Sequence, residues 1–240
     1  MQLNIFRKSY WRRQSNKKVL RQIKANTDYF FTVSYRKNTR SELSRLCQKY
    51  GTDKGAINPA THPKNMGRIH NYADFYEMVF GGMRRQVKSM LECGIGQYSK
   101  GGSLRAWKEY FPNALITGID IDEALLFSEE RIETYQVDQT DPASIKRFLE
   151  RVNDRQFNVI IDDGLHTVSA GIVFFENVID SLTDDGIYII EDVKLPDMLE
   201  IAKHLGRYES NYDVRLVNLD RPGKSISDNS LVMVTKNILG

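Results

Sequence analysis

The pattern of apolar and polar positions predicts alternating strands and helices from about residue 86 onward. Short apolar runs alternate with longer amphipathic segments, which is typical of βαβ units and a mostly parallel sheet. The apolar runs predict strands at 87–93, 114–120, 132–138, 157–162, 186–191, 213–219 and 230–236. The amphipathic segments predict helices at 102–111, 142–153, 168–182 and 196–207. The chain is therefore predicted to have an α/β fold.

The two ends of this pattern differ from its middle. The stretch NLDRPGKSISDNS between the last two predicted strands is short and rich in turn residues. It favours an antiparallel pair over a helical crossover, which departs from a dinucleotide-binding fold. Upstream, residues 40–50 and 71–84 are predicted to be helical, and a polar loop with glycine and proline joins them.

Composition indicates an ordinary globular protein. With 240 residues, 41% of them hydrophobic, the chain can bury one substantial core and is predicted to be one domain with an extension. No apolar run approaches the roughly 18 residues of a spanning helix, and the N-terminus lacks a signal-peptide core. We therefore expect no transmembrane segment and a cytoplasmic location, where Cys47 and Cys93 would be reduced and partly buried.

Positive charge is concentrated at the N-terminus. Residues 1–40 contain eleven Lys and Arg against one acid, so this segment carries +10 and the rest of the chain −7, within a net charge of +3. Such a segment could bind an anionic surface, a phosphate-bearing substrate or nucleic acid, or could be a solvated helical face. Because no nucleic-acid module is recognisable, we expect no nucleic-acid partner.

A glycine-rich loop follows the first strong strand, in LECGIGQYSKGGSLRAW. Glycines at this place let a cofactor approach the backbone closely. The dinucleotide pattern would start at Gly94 and Gly96 but requires glycine where Ser99 stands, so a pyrophosphate cradle is not specified. Glu92 would repel phosphate but could accept hydrogen bonds from an ammonium group, and Asp120 ends the next strand where a carboxylate can bind ribose hydroxyls.

The sequence resembles class I S-adenosylmethionine-dependent methyltransferases, and more narrowly the metal-dependent sugar O-methyltransferases of macrolide and surface-polysaccharide biosynthesis. The motifs that carry the resemblance are KYGTDKG, HNYADFYEMVF, LECGIG, GGSLRAWKEYFPNALITGIDID, VDQTDP, VIIDDGLH and IIEDV. They cover roughly residues 43–193, and segment 1–40 lies outside them. The resemblance implies a Rossmann-like sheet, mostly parallel with an antiparallel C-terminal strand, and helices on both faces.

Acidic residues end two of the predicted strands, in VIIDDGLH and IIEDV. If these strands are neighbours in a parallel sheet, Asp163, Glu191 and Asp192 meet at one edge. Three carboxylates repel one another unless a cation lies between them, and oxygen ligands suit Mg²⁺, with Mn²⁺ or Fe²⁺ as alternatives. The resemblance implies that these three are the metal ligands, whereas the alternative is that they cap helices.

His166 follows Asp163 by three residues. A sugar hydroxyl is a poor nucleophile, so a nearby imidazole that removes its proton, aided by a cation, is what methyl transfer requires. The resemblance implies that His166 is the general base, beside Asp163; a lone structural histidine is the alternative.

The remaining cofactor contacts are assigned on the same resemblance. Asp138 and Gln139 are expected near the adenine, and Asp53 in an N-terminal element that covers the cofactor or the substrate, with Tyr72 and Tyr76 behind it. Tyr50, Thr52 and Lys54 belong to the same element. The predicted S-adenosylmethionine site consists of Glu92, Gly94, Gly96, Ser103, Asp120, Asp138, Gln139, Asp53 and Tyr72. We assign no catalytic role to His62, His70 or His204.

These features predict an O-methyltransferase that acts on a sugar hydroxyl, with S-adenosylmethionine and Mg²⁺ as cofactors. The partner is a small-molecule sugar, nucleotide-linked or glycosidic, and similar enzymes commonly self-associate, so a homo-oligomer is expected. Predicted divisions are a basic helical extension at 1–42, a helical cap over the cofactor site at 43–85 and a cofactor-binding domain at 86–240. Alternatives are a catechol-type O-methyltransferase, a noncatalytic cofactor-binding protein with a basic docking segment and, further behind, an NAD-dependent oxidoreductase.

Overall fold

The computed structural model describes residues 17–22, 30–34, 41–55, 70–96, 99–220 and 227–237. These residues include eight strands in a single sheet. The strands are β1 Phe30–Ser34, β2 Ser89–Cys93, β3 Leu115–Asp120, β4 Ile132–Gln136, β5 Phe157–Asp162, β6 Leu182–Ile190, β7 Tyr212–Asp220 and β8 Ser230–Lys236. The helices are α1 Glu42–Tyr50, α2 Tyr72–Phe80, α3 Gly102–Tyr110, α4 Pro142–Arg151, α5 Val168–Val178 and α6 Leu195–Leu205. Residues 17–22 are also helical.

The sheet is mostly parallel, as predicted. Its strand order is β1-β7-β8-β6-β5-β2-β3-β4, and every neighbouring pair is parallel except those that involve β8. Strand β8 lies between β6 and β7 and is antiparallel to both. The predicted antiparallel ending is therefore confirmed, and the short turn-rich connection explains it, because it leaves no room for a crossover helix.

Two cores lie on the two faces of the sheet. Leu91 and Ile160 point into one core, whereas their chain neighbours Met90 and Ile161 point into the other. Side chains alternate between faces along a strand, so a sheet covered by helices on both sides needs apolar residues at successive positions. That requirement explains the continuous apolar runs of the central strands.

The helices begin where the capping residues place them. Asp141 accepts a hydrogen bond from the backbone N–H of Ala143, and Pro142 occupies the first turn of α4, where its missing N–H costs nothing. Thr167 caps α5 in the same manner. Pro196 lies in the first turn of α6, as predicted.

The N-terminal extension is predicted to be helical, and of its described residues 17–22 are helical, whereas 30–34 are not. They form β1, which pairs in parallel with β7 from Phe30 opposite Leu216 to Ser34 opposite Asp220. The sequence FFTVS is aromatic and β-branched, which suits an edge strand, whereas the surrounding basic residues suggested an amphipathic helix. The division of the chain at residues 42 and 85 stays a prediction. Among the described residues no helix has the length and apolar character to span a bilayer.

Candidate active site

Four neighbouring strands end together at one edge of the sheet. Cys93 at the end of β2 pairs with Ile119 of β3 and with Asp162 of β5, and Asp162 pairs with Ile190 of β6. The residues that follow these strand ends are therefore neighbours in space. This register brings the glycine loop, the carboxylate of Asp120 and the two acidic motifs to one place, as the sequence predicted from the ends of parallel strands.

A cavity of about 770 Å³ opens at this edge. It is lined by twelve of the thirteen residues predicted for the site: Asp53, Tyr72, Gly94, Gly96, Ser103, Asp120, Asp138, Gln139, Asp163, His166, Glu191 and Asp192. Glu92 is the exception. The exposed side chains of Ile121 and Leu165 lie at the same cavity.

The glycine loop is shaped by close backbone contacts. Gly94 has φ +95°, and a Cβ there would lie 2.1 Å from the carbonyl oxygen of Asp163, so no side chain fits. Gly96 has φ +79° and open space around its Cβ position. Gly94 thus allows the loop to pack closely against the backbone of Asp163, and Gly96 leaves its own backbone accessible from the cavity.

Asp120 holds the loop that faces it. One carboxylate oxygen accepts a hydrogen bond of 2.9 Å from the backbone N–H of Ile95, and the other accepts one of 3.0 Å from that of Asp122. A carboxylate oxygen has two lone pairs, so both oxygens retain capacity for a further donor. This arrangement suits the predicted contact with ribose hydroxyls.

Glu92 lies inside the protein rather than on the cavity wall. Its carboxylate accepts hydrogen bonds from Ser103 Oγ at 2.7 Å and Trp107 Nε1 at 3.2 Å, and Lys54 Nζ lies 3.2 Å away. Burial raises the pKa of Glu92, and the charge of Lys54 opposes that rise. The predicted contact of Glu92 with a cofactor ammonium group stays a prediction, and its hydroxyl partner Ser103 is turned toward it.

Gln139 connects the predicted adenine region to the His166 loop. Its amide NH₂ donates to Asp162 Oδ1 at 3.0 Å, and its amide oxygen accepts from the backbone N–H of Leu165 at 2.6 Å. A Cβ at Gly164 would lie 1.9 Å from that oxygen, so the contact requires glycine. Asp138 instead stabilises its own turn, accepting from Thr140.

We expect Gln139→Leu to destabilise the protein by about 1–3 kcal/mol, because it removes one of the two donors to the buried carboxylate of Asp162 and leaves the N–H of Leu165 without its acceptor. Denaturant unfolding measures this change, with the exposed Gln86→Leu as the matched control. If Gln139 only contacted the adenine, the substitution would weaken cofactor binding and leave the unfolding free energy unchanged.

His166 lies between two carboxylates. Its Nε2 is 3.1 Å from Asp163 Oδ1, and its Nδ1 is 3.5 Å from Asp192 Oδ2. His166 and Asp192 both have φ +55°, a left-handed backbone that is uncommon outside glycine and that concentrates at functional sites. Burial disfavours the imidazolium, but the hydrogen bond and charge of Asp163 outweigh it and raise the pKa of His166 to about 9.

Among the described residues, Asp163, His166 and Asp192 form a group whose potential metal-ligand atoms all lie within 4.8 Å of one another. Burial raises the pKa of Asp192, and the neighbouring charge of Asp163 adds to the rise. Burial also acts on Asp163, yet the charge of Lys54 and the hydrogen bond with His166 lower its pKa to about 2. Asp163 is therefore ionised and can act as an oxygen ligand for a cation.

Glu191 has a different environment from the other two predicted ligands. It is 1% exposed, and its oxygens face Tyr76 Oη and Lys54 Nζ, each at 2.5 Å. Burial raises its pKa well above the usual value, against the charge of Lys54. Its role as a metal ligand stays a prediction.

Sequence reasoning missed three contributors to this site. Lys54 was placed only in a covering element, although it lies among the acids, and Tyr76 only behind that element, although it donates to Glu191. His70, assigned no role, lines the cavity with Nε2 3.6 Å from Asp192 Oδ1. Tyr72, which the resemblance assigned to the cofactor site, donates a hydrogen bond to Asp192 Oδ1 at 2.7 Å. The excess of carboxylates was the available signal for Lys54, because buried negative charges need a partner.

Comparison with known proteins gives relatives of one chemical type. No protein-family model matches the chain. The chain is 31% identical over 156 residues to the 8-demethyl-8-alpha-L-rhamnosyl tetracenomycin-C 2'-O-methyltransferase of Streptomyces olivaceus, covering 63% of this chain and 38% of the relative. It is 33% identical over 158 residues to the mycinamicin VI 2''-O-methyltransferase of Micromonospora griseorubida, covering 64% and 36%. The chain thus spans less than two fifths of the length of these relatives.

A solved structure agrees with the sequence relatives. The MycE methyltransferase from the mycinamycin pathway, in complex with Mg, SAH and mycinamycin VI, matches with a TM-score of 0.60 and 26% identity over 82% of this chain and 55% of that one. The resemblance found in the motifs is confirmed. The chain has the class I S-adenosylmethionine-dependent methyltransferase fold, and its sequence is similar to those of sugar O-methyltransferases of natural-product biosynthesis.

Proposed function

We propose that the protein is an S-adenosylmethionine-dependent and divalent-metal-dependent O-methyltransferase that acts on a sugar hydroxyl. One observation carries the proposal: an imidazole flanked by two carboxylates lies in the same cavity as the glycine loop and Asp120. The names of the sequence relatives favour a sugar acceptor over a catechol, and a methyltransferase over a noncatalytic protein or an oxidoreductase.

The part of the cavity lined by Asp120 and the glycine loop fits a ligand that has a ribose and lacks phosphate. Asp120 offers carboxylate lone pairs for ribose hydroxyls, and Gly96 leaves the loop backbone open to close approach. Ser99 stands where the dinucleotide pattern needs its third glycine, so the loop specifies no pyrophosphate cradle. When bound, S-adenosylmethionine supplies an electrophilic methyl group on a sulfonium sulfur.

The part of the cavity lined by Asp163 and Asp192 fits a divalent cation. Asp163 and Asp192 would hold it, because their oxygens lie at the cavity and oxygen ligands suit Mg²⁺. Glu191, the third predicted ligand, directs its oxygens to Lys54 and Tyr76. A bound divalent ion supplies positive charge that stabilises a developing alkoxide.

His166 is positioned to accept the proton of the acceptor hydroxyl. Its ring lies at the cavity, and the carboxylates of Asp163 and Asp192 stabilise the imidazolium that forms. A divalent cation held by the same carboxylates would oppose the rise in the pKa of His166 and favour the neutral imidazole, the form that can accept a proton. The left-handed backbone at His166 and the Gln139 contacts to the preceding residues fix the loop that carries the ring. The side chain is thus held for general-base catalysis rather than left to rotate.

Transfer of labelled methyl from S-adenosylmethionine tests the proposal. We expect label in a panel of glycosides or nucleotide sugars with added Mg²⁺, none with EDTA, and little in catechols. Label that enters a sugar despite EDTA would remove the metal from the proposal, and label that enters catechols alone would replace the acceptor class.

A further inference from the structure

We propose that Lys54 is a positioning residue that fixes Asp163 and Glu191 relative to the cofactor loop, an inference that rests on the proposed function. Its ammonium group lies 2.7 Å from Asp163 Oδ2, 2.5 Å from Glu191 Oε2 and 3.2 Å from Glu92 Oε1. These acceptors follow or end three different strands, β5, β6 and β2. One buried cation therefore links three strand ends.

Two of these contacts are hydrogen bonds, to Asp163 and Glu191, and the third, to Glu92, is an ion pair. A lysine ammonium has three N–H donors, and here three carboxylate oxygens surround it. The side chain is only 3% exposed, so water cannot replace these partners. Burying a charge is costly unless it is paired, and removing one partner from such a group leaves uncompensated charge.

The fold sets the place of this charge. The backbone carbonyl of Lys54 accepts a hydrogen bond of 2.8 Å from Ala73 in α2, and Asp53 accepts one of 2.9 Å from His70. A Cβ at Gly55 would lie 2.9 Å from the Cβ of Ala73, so the chain is tightly packed at this point. Lys54 is thus fixed by its backbone, unlike a flexible surface lysine.

Lys54 determines which oxygens remain for the cavity. Asp163 directs Oδ2 to Lys54 and Oδ1 to His166, while Glu191 divides its oxygens between Lys54 and Tyr76. Without the ammonium group, the buried carboxylates of Glu92 and Glu191 and the partly buried one of Asp163 would face one another, and Asp163 would turn away. Lys54 is not among the described residues that line the cavity, so it acts through Asp163 and Glu191.

The test measures Mn²⁺ binding and SAH binding separately, without any methyl-transfer assay. Lys54→Met keeps the length of the side chain and removes its charge. We expect it to weaken Mn²⁺ binding by about tenfold or more, as supporting residues of metal sites do, and to change SAH affinity much less. Lys49→Met is the control, because Lys49 pairs with Glu109 at the surface and should leave Mn²⁺ binding unchanged.

A second variant guards against a failure to fold. Lys54→Met combined with Glu92→Gln removes one buried acid together with the cation, so we expect a higher melting temperature than for Lys54→Met alone and a persisting loss of Mn²⁺ affinity. Mn²⁺ affinity equal to the parent in either folded variant would overturn the proposal. A parent protein that binds no Mn²⁺ would overturn the proposed function instead; the positioning role would then be refuted by a Lys54→Met melting temperature equal to that of the parent.

Discussion

Replacing His166 with alanine is expected to lower the rate of methyl transfer at saturating substrate by about 10²- to 10⁴-fold, the usual contribution of a general base. The physical reason is local: the imidazole lies at the cavity, 3.1 Å from Asp163 and 3.5 Å from Asp192, and those carboxylates stabilise its protonated form. The ring makes no contact with Asp120 or the described glycine loop, so cofactor affinity should change little.

The measurement is a steady-state rate with labelled S-adenosylmethionine, together with calorimetric binding of SAH. His204→Ala is the matched control, because His204 pairs with Glu176 at 2.7 Å, outside the residues that line the cavity. A His166→Ala protein as fast as the parent would show that another group removes the proton. Loss of SAH binding in the same variant would show that the histidine supports the cofactor site.

The positions of the site residues could be predicted because they depend on strand ends. Strand β5 lies at its predicted bounds, Phe157–Asp162, and the acids that follow β5 and β6 meet because parallel strands end at a common edge. The antiparallel pairing of β8 followed from a turn-rich connection. Local composition and a general rule of parallel sheets were sufficient in these cases.

Other features depend on long-range contacts that no local pattern contains. Every residue of β2 is buried, so apolar periodicity could not show which face Glu92 occupies, and it lies inside with Lys54 rather than on the cavity wall. The strand β1 pairs with β7, whose residues lie far along the chain, and five residues of FFTVS within a basic segment are a weak local signal. Gln139 was assigned to the adenine on the resemblance alone, and its contacts to Asp162 and Leu165 are visible only in three dimensions.

Asp163→Asn is expected to raise the Mg²⁺ concentration for half-maximal rate by more than about tenfold, since even outer residues of metal sites change affinity by about 10- to 100-fold. Asparagine keeps the size of the side chain but removes the negative charge that faces Lys54, His166 and the predicted ion. The preceding residue provides a matched control. Asp162 is bound by Gln139 and the N–H of Gly164, and asparagine keeps an oxygen that can accept from both, so Asp162→Asn should leave the Mg²⁺ requirement unchanged.

The contrast between these adjacent acids follows from the strand geometry, because successive side chains point to opposite sides. Asp162 belongs to the Gln139 contacts, and Asp163 faces the cavity. A titration of rate against Mg²⁺ for both variants separates the two roles. If the two substitutions raised the Mg²⁺ requirement equally, the effect would come from loss of loop structure and not from a lost ligand, and Asp163 would leave the predicted metal site. If only Asp163→Asn did so, the negative charge of Asp163 would be required for binding the ion, and Lys54, which contacts Oδ2, would be the support of that ligand.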